Sequence, residues 1–389
     1  MVGQPASFIG VALAGAALLV ACGSESMPPV LGGTAGGDAG ASDGGPLSFG
    51  DASPIIKNCG VGPDGGVCAC ADEPLAVDPP TLYYVLDRSG SMAELNKWNT
   101  VRTVLENVAI QLGGRAAFGA AVFPDPKADN CAVGKQVFAP AVGDALNGLA
   151  GPVDHALFYT LSLITASGGT PTAATLQALL PGLKSNKGKT YVVLATDGGP
   201  NCDQNTSCNA SMCTLNIESD DGCTPTGTNC CTPQGLPGSS QLSCLDAQPT
   251  IDAVTAIAAA GIPVYVVGVP GSEPYAQLLD ALATAGGTAR SSEPLYYAVS
   301  TSDEKALYAA MSKIAAKVAG SCTLTLDKAP PDPSLVNVFL NGSAIPQSGA
   351  DGWTLSGTTV TILGASCQAI LDGDVLDVRV VAGCPTLTH

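Results

Sequence analysis

Two short runs, Thr81-Leu82-Tyr83-Tyr84-Val85-Leu86 and Tyr191-Val192-Val193-Leu194-Ala195, are almost wholly apolar and rich in aromatic or β-branched side chains. A strand with one wet face alternates polar and apolar residues, whereas a strand covered on both faces does not. These runs therefore predict buried parallel strands. Around them the period changes. Over residues 94–112 the apolar side chains Leu95, Trp98, Val101, Leu105, Val108 and Leu112 recur every three or four positions, which predicts an amphipathic helix. Residues 116–123 read as a strand, 136–142 as a short edge strand and 154–165 as a helix. A further helix is expected over 172–183, with Thr172 placed to cap it. After the second buried run, helices at 250–260, 275–284 and 304–318 alternate with strands at 262–269 and 295–299. This alternation predicts an α/β fold, a doubly wound, mostly parallel sheet with helices on both faces.

From residue 321 the texture becomes short β runs, 323–326, 335–340, 360–363 and 375–381, separated by turn residues such as Asn341-Gly342. A small all-β appendage over 321–389 is expected, tied by Cys322, Cys367 and Cys384. At the other end, residues 8–21 form an apolar run too short to span a bilayer and suited to a signal-peptide core. It ends in Leu19-Val20-Ala21-Cys22, which resembles the lipobox of bacterial lipoproteins, although no Lys or Arg precedes the run. The resemblance implies a signal peptide over 1–21, a lipidated Cys22 and export. Gly23 after the Cys implies the outer membrane. Residues 22–58 then form a Gly-, Ala-, Ser- and Asp-rich flexible tether, followed by a Cys-containing lead-in over 59–78.

The chemistry lies in three separated pieces, Asp87-Arg88-Ser89-Gly90-Ser91, Gly168-Gly169-Thr170 and Thr196-Asp197-Gly198. Asp87 and Asp197 directly follow the two buried runs or lie one residue beyond, so both carboxylates are expected at strand C-terminal ends. That edge is where open α/β sheets bind ligands. Any one piece could simply cap a helix. The three in this order resemble the von Willebrand factor type A (VWA) domain and its metal-ion-dependent adhesion site, over about residues 79–320. That resemblance implies one Mg²⁺, or Mn²⁺ or Ca²⁺ in its place. Ser89, Ser91 and Thr170 would bind it directly, Asp87 and Asp197 would act through water, and Thr172 would add an outer hydroxyl. An open coordination position would take an exposed Asp or Glu of a protein partner. Hard divalent cations favour such oxygen donors.

Composition narrows the setting. The chain has 389 residues, 46% of them hydrophobic and 13% charged, enough for one large domain and a smaller one. Its formal charge of −17 argues against nucleic acid as a partner and against charge-driven membrane contact, which leaves the N-terminal lipid as the anchor. Fifteen Cys residues point to an oxidising compartment. With Cys22 lipidated, fourteen remain as disulfide candidates. Seven of these, Cys202, Cys208, Cys213, Cys223, Cys230, Cys231 and Cys244, crowd an insertion at 201–247, where no His lies and no paired Cys-x-x-Cys knuckle repeats. Disulfides are the expectation there, with zinc the competing reading. The rest, Cys59, Cys68, Cys70, Cys131, Cys322, Cys367 and Cys384, are odd in number, so at least one bridge must link the crowded stretch to another part of the chain. An enzyme is the weaker alternative. There are two His, His155 and the terminal His389, and neither a phosphate-binding loop nor a nucleophile elbow is present. The remaining alternative is a metal that only staples a capped rim.

Overall fold

The computed structural model describes residues 71–72, 79–144, 151–235, 241–299 and 304–388. After a two-residue strand β1 (Ala71–Asp72), the main domain runs through β2 (Thr81–Asp87), α1 (Lys97–Leu112), β3 (Ala117–Phe123), β4 (Lys135–Val142) and α2 (Pro152–Ser162). It continues through α3 (Thr172–Ser185), β5 (Thr190–Thr196), the short α4 (Thr214–Glu218), α5 (Ala247–Ala259), β6 (Val264–Gly268), α6 (Ala276–Ala285), β7 (Tyr297–Ala298) and α7 (Glu304–Ala319). Six strands form one sheet in the order β4-β3-β2-β5-β6-β7. All neighbours are parallel except β4, which pairs antiparallel with β3 at the edge. Pro140 is tolerated in β4 because an edge strand has no second neighbour to bond.

Both predicted central strands are buried along nearly their whole length, and their residues feed two separate cores. Leu82, Tyr84 and Leu86 of β2, with Val193 and Ala195 of β5, pack against α1, α2 and α7. Tyr83, Val85, Val192 and Leu194 face the other way, onto α3, α5 and α6. Side chains alternate across a strand, so a strand with a helix layer on each face must be apolar throughout. The chain leaves β2 toward β3 through α1 on one face and leaves β5 toward β6 through α5 on the other. The strand order therefore reverses between β2 and β5, and their C-terminal ends open a crevice there.

Three expectations shift in position. The helix expected from residue 94 begins at Lys97. A 3-10 segment, Gly90–Asn96, precedes it, and Leu95 within it is 71% exposed at φ 48° rather than packed as an apolar helical position. Thr172 is the first residue of α3, not its cap; Pro171 holds the cap position. The strand expected over 295–299 shortens to β7.

Beyond α7 lie β8 (Thr323–Thr325), β9 (Val336–Leu340), β10 (Ser343–Ile345), β11 (Trp353–Ser356), β12 (Thr359–Ile362), α8 (Gly364–Leu371) and β13 (Val378–Ala382). They form the expected appendage of small antiparallel sheets, ordered β11-β12-β8 and β1-β13-β9-β10. One feature departs from the all-β expectation and another from its boundary. A helix, α8, sits among the strands, and the lead-in pair Ala71–Asp72 supplies the outer strand beside β13. The buried indole of Trp353 donates to the Ile345 carbonyl at the centre of its core. The appendage is not free of the main domain. Buried Arg115 donates to the carbonyls of Leu376 and Ala319, and Leu376 packs into the core of α1 and α7.

Five disulfides join described cysteines: Cys131–Cys202, Cys208–Cys244, Cys213–Cys231, Cys223–Cys230 and Cys322–Cys367. Cys384 is also disulfide-bonded. Cys208, Cys231 and Cys244 lie close enough to resemble a metal cluster, but each already belongs to a disulfide, so the zinc reading of the insertion falls. Cys131–Cys202 is the bridge out of the crowded stretch that the odd count required. Within the insertion the cystines form a small core of their own. Fully buried Asn216 organises it, donating to the carbonyls of Thr224 and Thr228 and accepting from the Cys230 amide. Among the described residues no helix is long and apolar enough to cross a membrane. Cys22, the tether, Cys59, Cys68, Cys70 and His389 lie outside the described residues, while His155 is an exposed residue of α2.

Candidate metal centre

The crevice between β2 and β5 gathers oxygen atoms from sequence positions more than a hundred residues apart. Asp87 ends β2, fully buried. Its Oδ1 accepts the Ser89 amide at 2.7 Å, a tight turn that folds Ser89 and Ser91 back over the carboxylate. Its Oδ2 accepts the hydroxyl of Thr196, the last residue of β5, at 2.5 Å. Ser89 Oγ and Ser91 Oγ stand 3.1 Å apart, and the Ser91 hydroxyl donates to Asp197 Oδ1 at 2.9 Å. Asp87, Ser89, Ser91 and Asp197 are thus brought into one chain of contacts.

Thr170 reaches the same rim through its loop. The Gly90 amide donates to the Gly168 carbonyl at 2.8 Å, and Arg88 grips the preceding segment by donating to the carbonyls of Thr165 and Ser167, each at 2.8 Å. From the other side, Asn201 Oδ1 accepts the Thr170 amide at 2.8 Å while its own amide donates to the Thr170 carbonyl at 2.9 Å. The Thr172 hydroxyl points back to that carbonyl at 3.4 Å. The Cys131–Cys202 disulfide lies against this loop. A Cβ on Gly169 would sit 2.6 Å from Cys202 Sγ and 3.3 Å from Cys131 Sγ, so only glycine lets the bridge pass.

The electrostatics follow from burial. Desolvation first, and the nearby Asp197 charge second, push the Asp87 carboxyl up to about 7, against the lowering effect of the Thr196 hydroxyl. Burial also raises Asp197, opposed by Lys97. The Lys97 ammonium stands 2.5 Å from Asp197 Oδ2 in an ion pair almost sealed from water. Two buried acidic groups, both raised by desolvation, thus share one crevice.

The donor set fits such an ion. Six oxygens about 2.1 Å from Mg²⁺ would stand about 3.0 Å from their neighbours. The 3.1 Å separation of the Ser89 and Ser91 hydroxyl oxygens already matches that edge, and the Ser91–Asp197 hydrogen bond holds the carboxylate beside it. Hydroxyls and carboxylates, with no sulfur or imidazole among them, suit a hard cation.

Lys97, Thr196, Arg88 and Asn201 were not picked out by sequence reasoning. Thr196 and Arg88 each adjoin an Asp of the motif, and that adjacency is the signal they carry in the sequence. Lys97 and Asn201 carried none, because a single Lys in a helix or Asn in a Cys-rich loop ordinarily faces solvent.

No family model matches the chain, and no curated protein does. Among solved structures, the chain is similar to the pilus adhesin SpaC from Lactobacillus rhamnosus GG in its open conformation. The identity is 18% and the TM-score 0.45, over 80% of this chain and 39% of that one. It is also similar to the vWF domain of the type V pili tip protein Mfa5 from Porphyromonas gingivalis, with 14% identity and a TM-score of 0.40, over 61% of this chain and 95% of that one. A von Willebrand factor type A structure from Catenulispora acidiphila gives 14% identity and a TM-score of 0.37, over 82% and 65% of the two chains. This chain therefore spans well under half the length of SpaC. Likenesses this distant say nothing of activity or partner.

Proposed function

We propose that the chain is a VWA-type adhesion module that holds one Mg²⁺ or Mn²⁺ through Asp87, Ser89, Ser91, Thr170 and Asp197 and uses it to bind an acidic side chain of a protein partner. The observation that carries this reading is the gathering of two carboxylates and two serine hydroxyls in the crevice between β2 and β5, with the two hydroxyls at octahedral-edge spacing. When bound, the ion would supply an electrophilic position for a carboxylate from outside. The protein's own part is to orient the oxygens. The Ser89 amide and Thr196 fix Asp87, Ser91 and Lys97 fix Asp197, and Arg88 with Asn201 fixes the loop of Thr170.

A metal that merely staples the rim is the weaker reading. The rim loops are already tied by the Gly90–Gly168 bond, the paired Asn201–Thr170 bonds and the Cys131–Cys202 disulfide. An ion is not needed to hold them. Export to an oxidising compartment is supported by the five disulfides, and the Leu-Val-Ala-Cys sequence supports anchoring by a lipid on Cys22, in the outer membrane by the Gly23 pattern. Mass spectrometry of membrane-extracted protein should find lipidated Cys22 as the mature N-terminus; an intact Met1 would refute the anchor.

The functional test uses the mature chain immobilised against surface proteins of its own cell type. Capture of a partner should be lost in chelator, restored by Mg²⁺ and lost in Thr170→Ala. A partner retained both in chelator and by Thr170→Ala would sink the metal-dependent reading.

A further inference from the structure

Lys97 opens α1, yet its side chain is only 5% exposed, and its ammonium meets the fully buried Oδ2 of Asp197 at 2.5 Å. The opposite wall is Gly271, at φ +105°, where a Cβ would lie 3.3 Å from the ammonium and 3.4 Å from the Asp197 carbonyl. Gly271 is itself exposed, and its positive φ rather than close packing is what favours glycine beside the ammonium. The other oxygen of the same carboxylate, Oδ1, accepts from Ser91 on the side of the crevice where the oxygens converge. One carboxylate therefore lies between a fixed cation at Oδ2 and the convergent oxygens at Oδ1.

We propose that Lys97 is a built-in counter-cation that sets the affinity of the centre for its divalent ion and leaves the loaded centre with the charge an acidic partner neutralises. This rests on the metal-binding reading above. The charge count carries it. With both carboxylates ionised, as holding an ion requires, the loaded centre carries +1 with Lys97 and 0 without it. In the metal-free centre Lys97 compensates the Asp197 carboxylate it touches. The lysine therefore relieves the metal-free centre of an uncompensated buried carboxylate, which is strongly destabilising when left alone. It also repels the arriving ion across Asp197, where burial leaves the repulsion weakly screened. A net +1 on the loaded centre is cancelled by one incoming carboxylate. Lys97 thus gives up metal affinity for a folded apo centre and an electrostatic bias toward an anionic partner.

Titration calorimetry with Mn²⁺ and Mg²⁺ on the mature chain tests this in Lys97→Met, Lys97→Gln and Lys97→Arg. The neutral variants should bind the ion at least about tenfold tighter, a change of about 1.4 kcal/mol. They should also melt at lower temperature in chelator and gain more in melting temperature from saturating ion than the unaltered protein does. Lys97→Arg, which keeps the charge, should stay within about threefold of the unaltered affinity. A neutral variant that folds only when the ion is present is the extreme of the same result, and chelator competition then gives its affinity. Neutral variants that bind no tighter, or that stay unfolded at saturating Mn²⁺, would overturn the proposal. An unaltered protein that binds neither ion would instead defeat the metal-binding reading itself.

Discussion

Asp87 and its immediate partners decide how the centre responds to pH. Its folded carboxyl titrates at about 7 against an ordinary 3.8, so between those values the metal-free native state holds a proton that the unfolded chain has lost. The stability this group contributes is complete below the unfolded value and disappears as pH rises through about 7. A divalent ion binds the carboxylate form, so its apparent affinity should climb with pH and level off above 7. Thermal melts in chelator should show the melting temperature falling from pH 5 to pH 8, and the increment from added Mg²⁺ growing over the same interval. Asp87→Asn should flatten both trends. Asp87→Ala should lower metal affinity at least about a hundredfold by calorimetry, since even outer-shell partners of a metal cost ten- to a hundredfold when removed. Unchanged affinity in that variant would remove Asp87 from the centre.

At the scale of elements, three loops must meet for the centre to exist: the turn after β2, the loop before α3 and the loop after β5. The Cys131–Cys202 bridge joins the loop after β3 to the loop after β5 and lies on Gly169, beside Thr170. It spans 71 residues, against 45 for Cys322–Cys367 in the appendage. Loop-closure entropy grows only with the logarithm of length, so either bridge should stabilise the chain by about 4 kcal/mol. Their stability effects are therefore close to matched, while their positions are not. Replacing Cys131 and Cys202 by Ser should weaken Mg²⁺ binding, whereas replacing Cys322 and Cys367 by Ser should leave it unchanged at a similar loss of stability. Paired calorimetry and urea titrations distinguish the two, and equal metal affinity in both double variants would show that the bridge does not position Thr170.

For the whole molecule, the appendage acts as part of the main core rather than as a tethered module. It is assembled from both ends of the described chain, with β1 beside β13. Arg115 reaches it from the turn between α1 and β3, and burial lowers that guanidinium to about 10, the charge being supported by Asp377. Arg115→Met would leave the Leu376 and Ala319 carbonyls without their donor, at a cost of about 1–3 kcal/mol for each buried group left unsatisfied. Urea unfolding should show a lower midpoint with a single transition, because the two parts share Leu376. Two separated transitions would mean that the appendage folds independently.

The sequence by itself determined the layered sheet, its two central strands and the order of the oxygen-bearing pieces. The physical reason is that burial on both faces and helical periodicity are local patterns, legible within ten or twenty residues. It also required a bridge out of the Cys-rich insertion, since seven cysteines cannot pair among themselves. Only the tertiary structure decided which atoms meet. Ser91 and Asp197 are 106 residues apart, as are Asp87 and Thr196 within three positions, and nothing local encodes such a pairing. Leu95 kept the helical spacing yet lies outside the helix, because two left-handed residues, Leu95 itself and Asn96, redirect the chain before α1. The short strands β10 and β11 and helix α8 exist through pairing and packing rather than through their own pattern. The burial of Lys97 belongs to the same class. A lysine is driven inside only by a carboxylate that the fold brings to it, and that carboxylate arrives from a strand a hundred residues further along the chain.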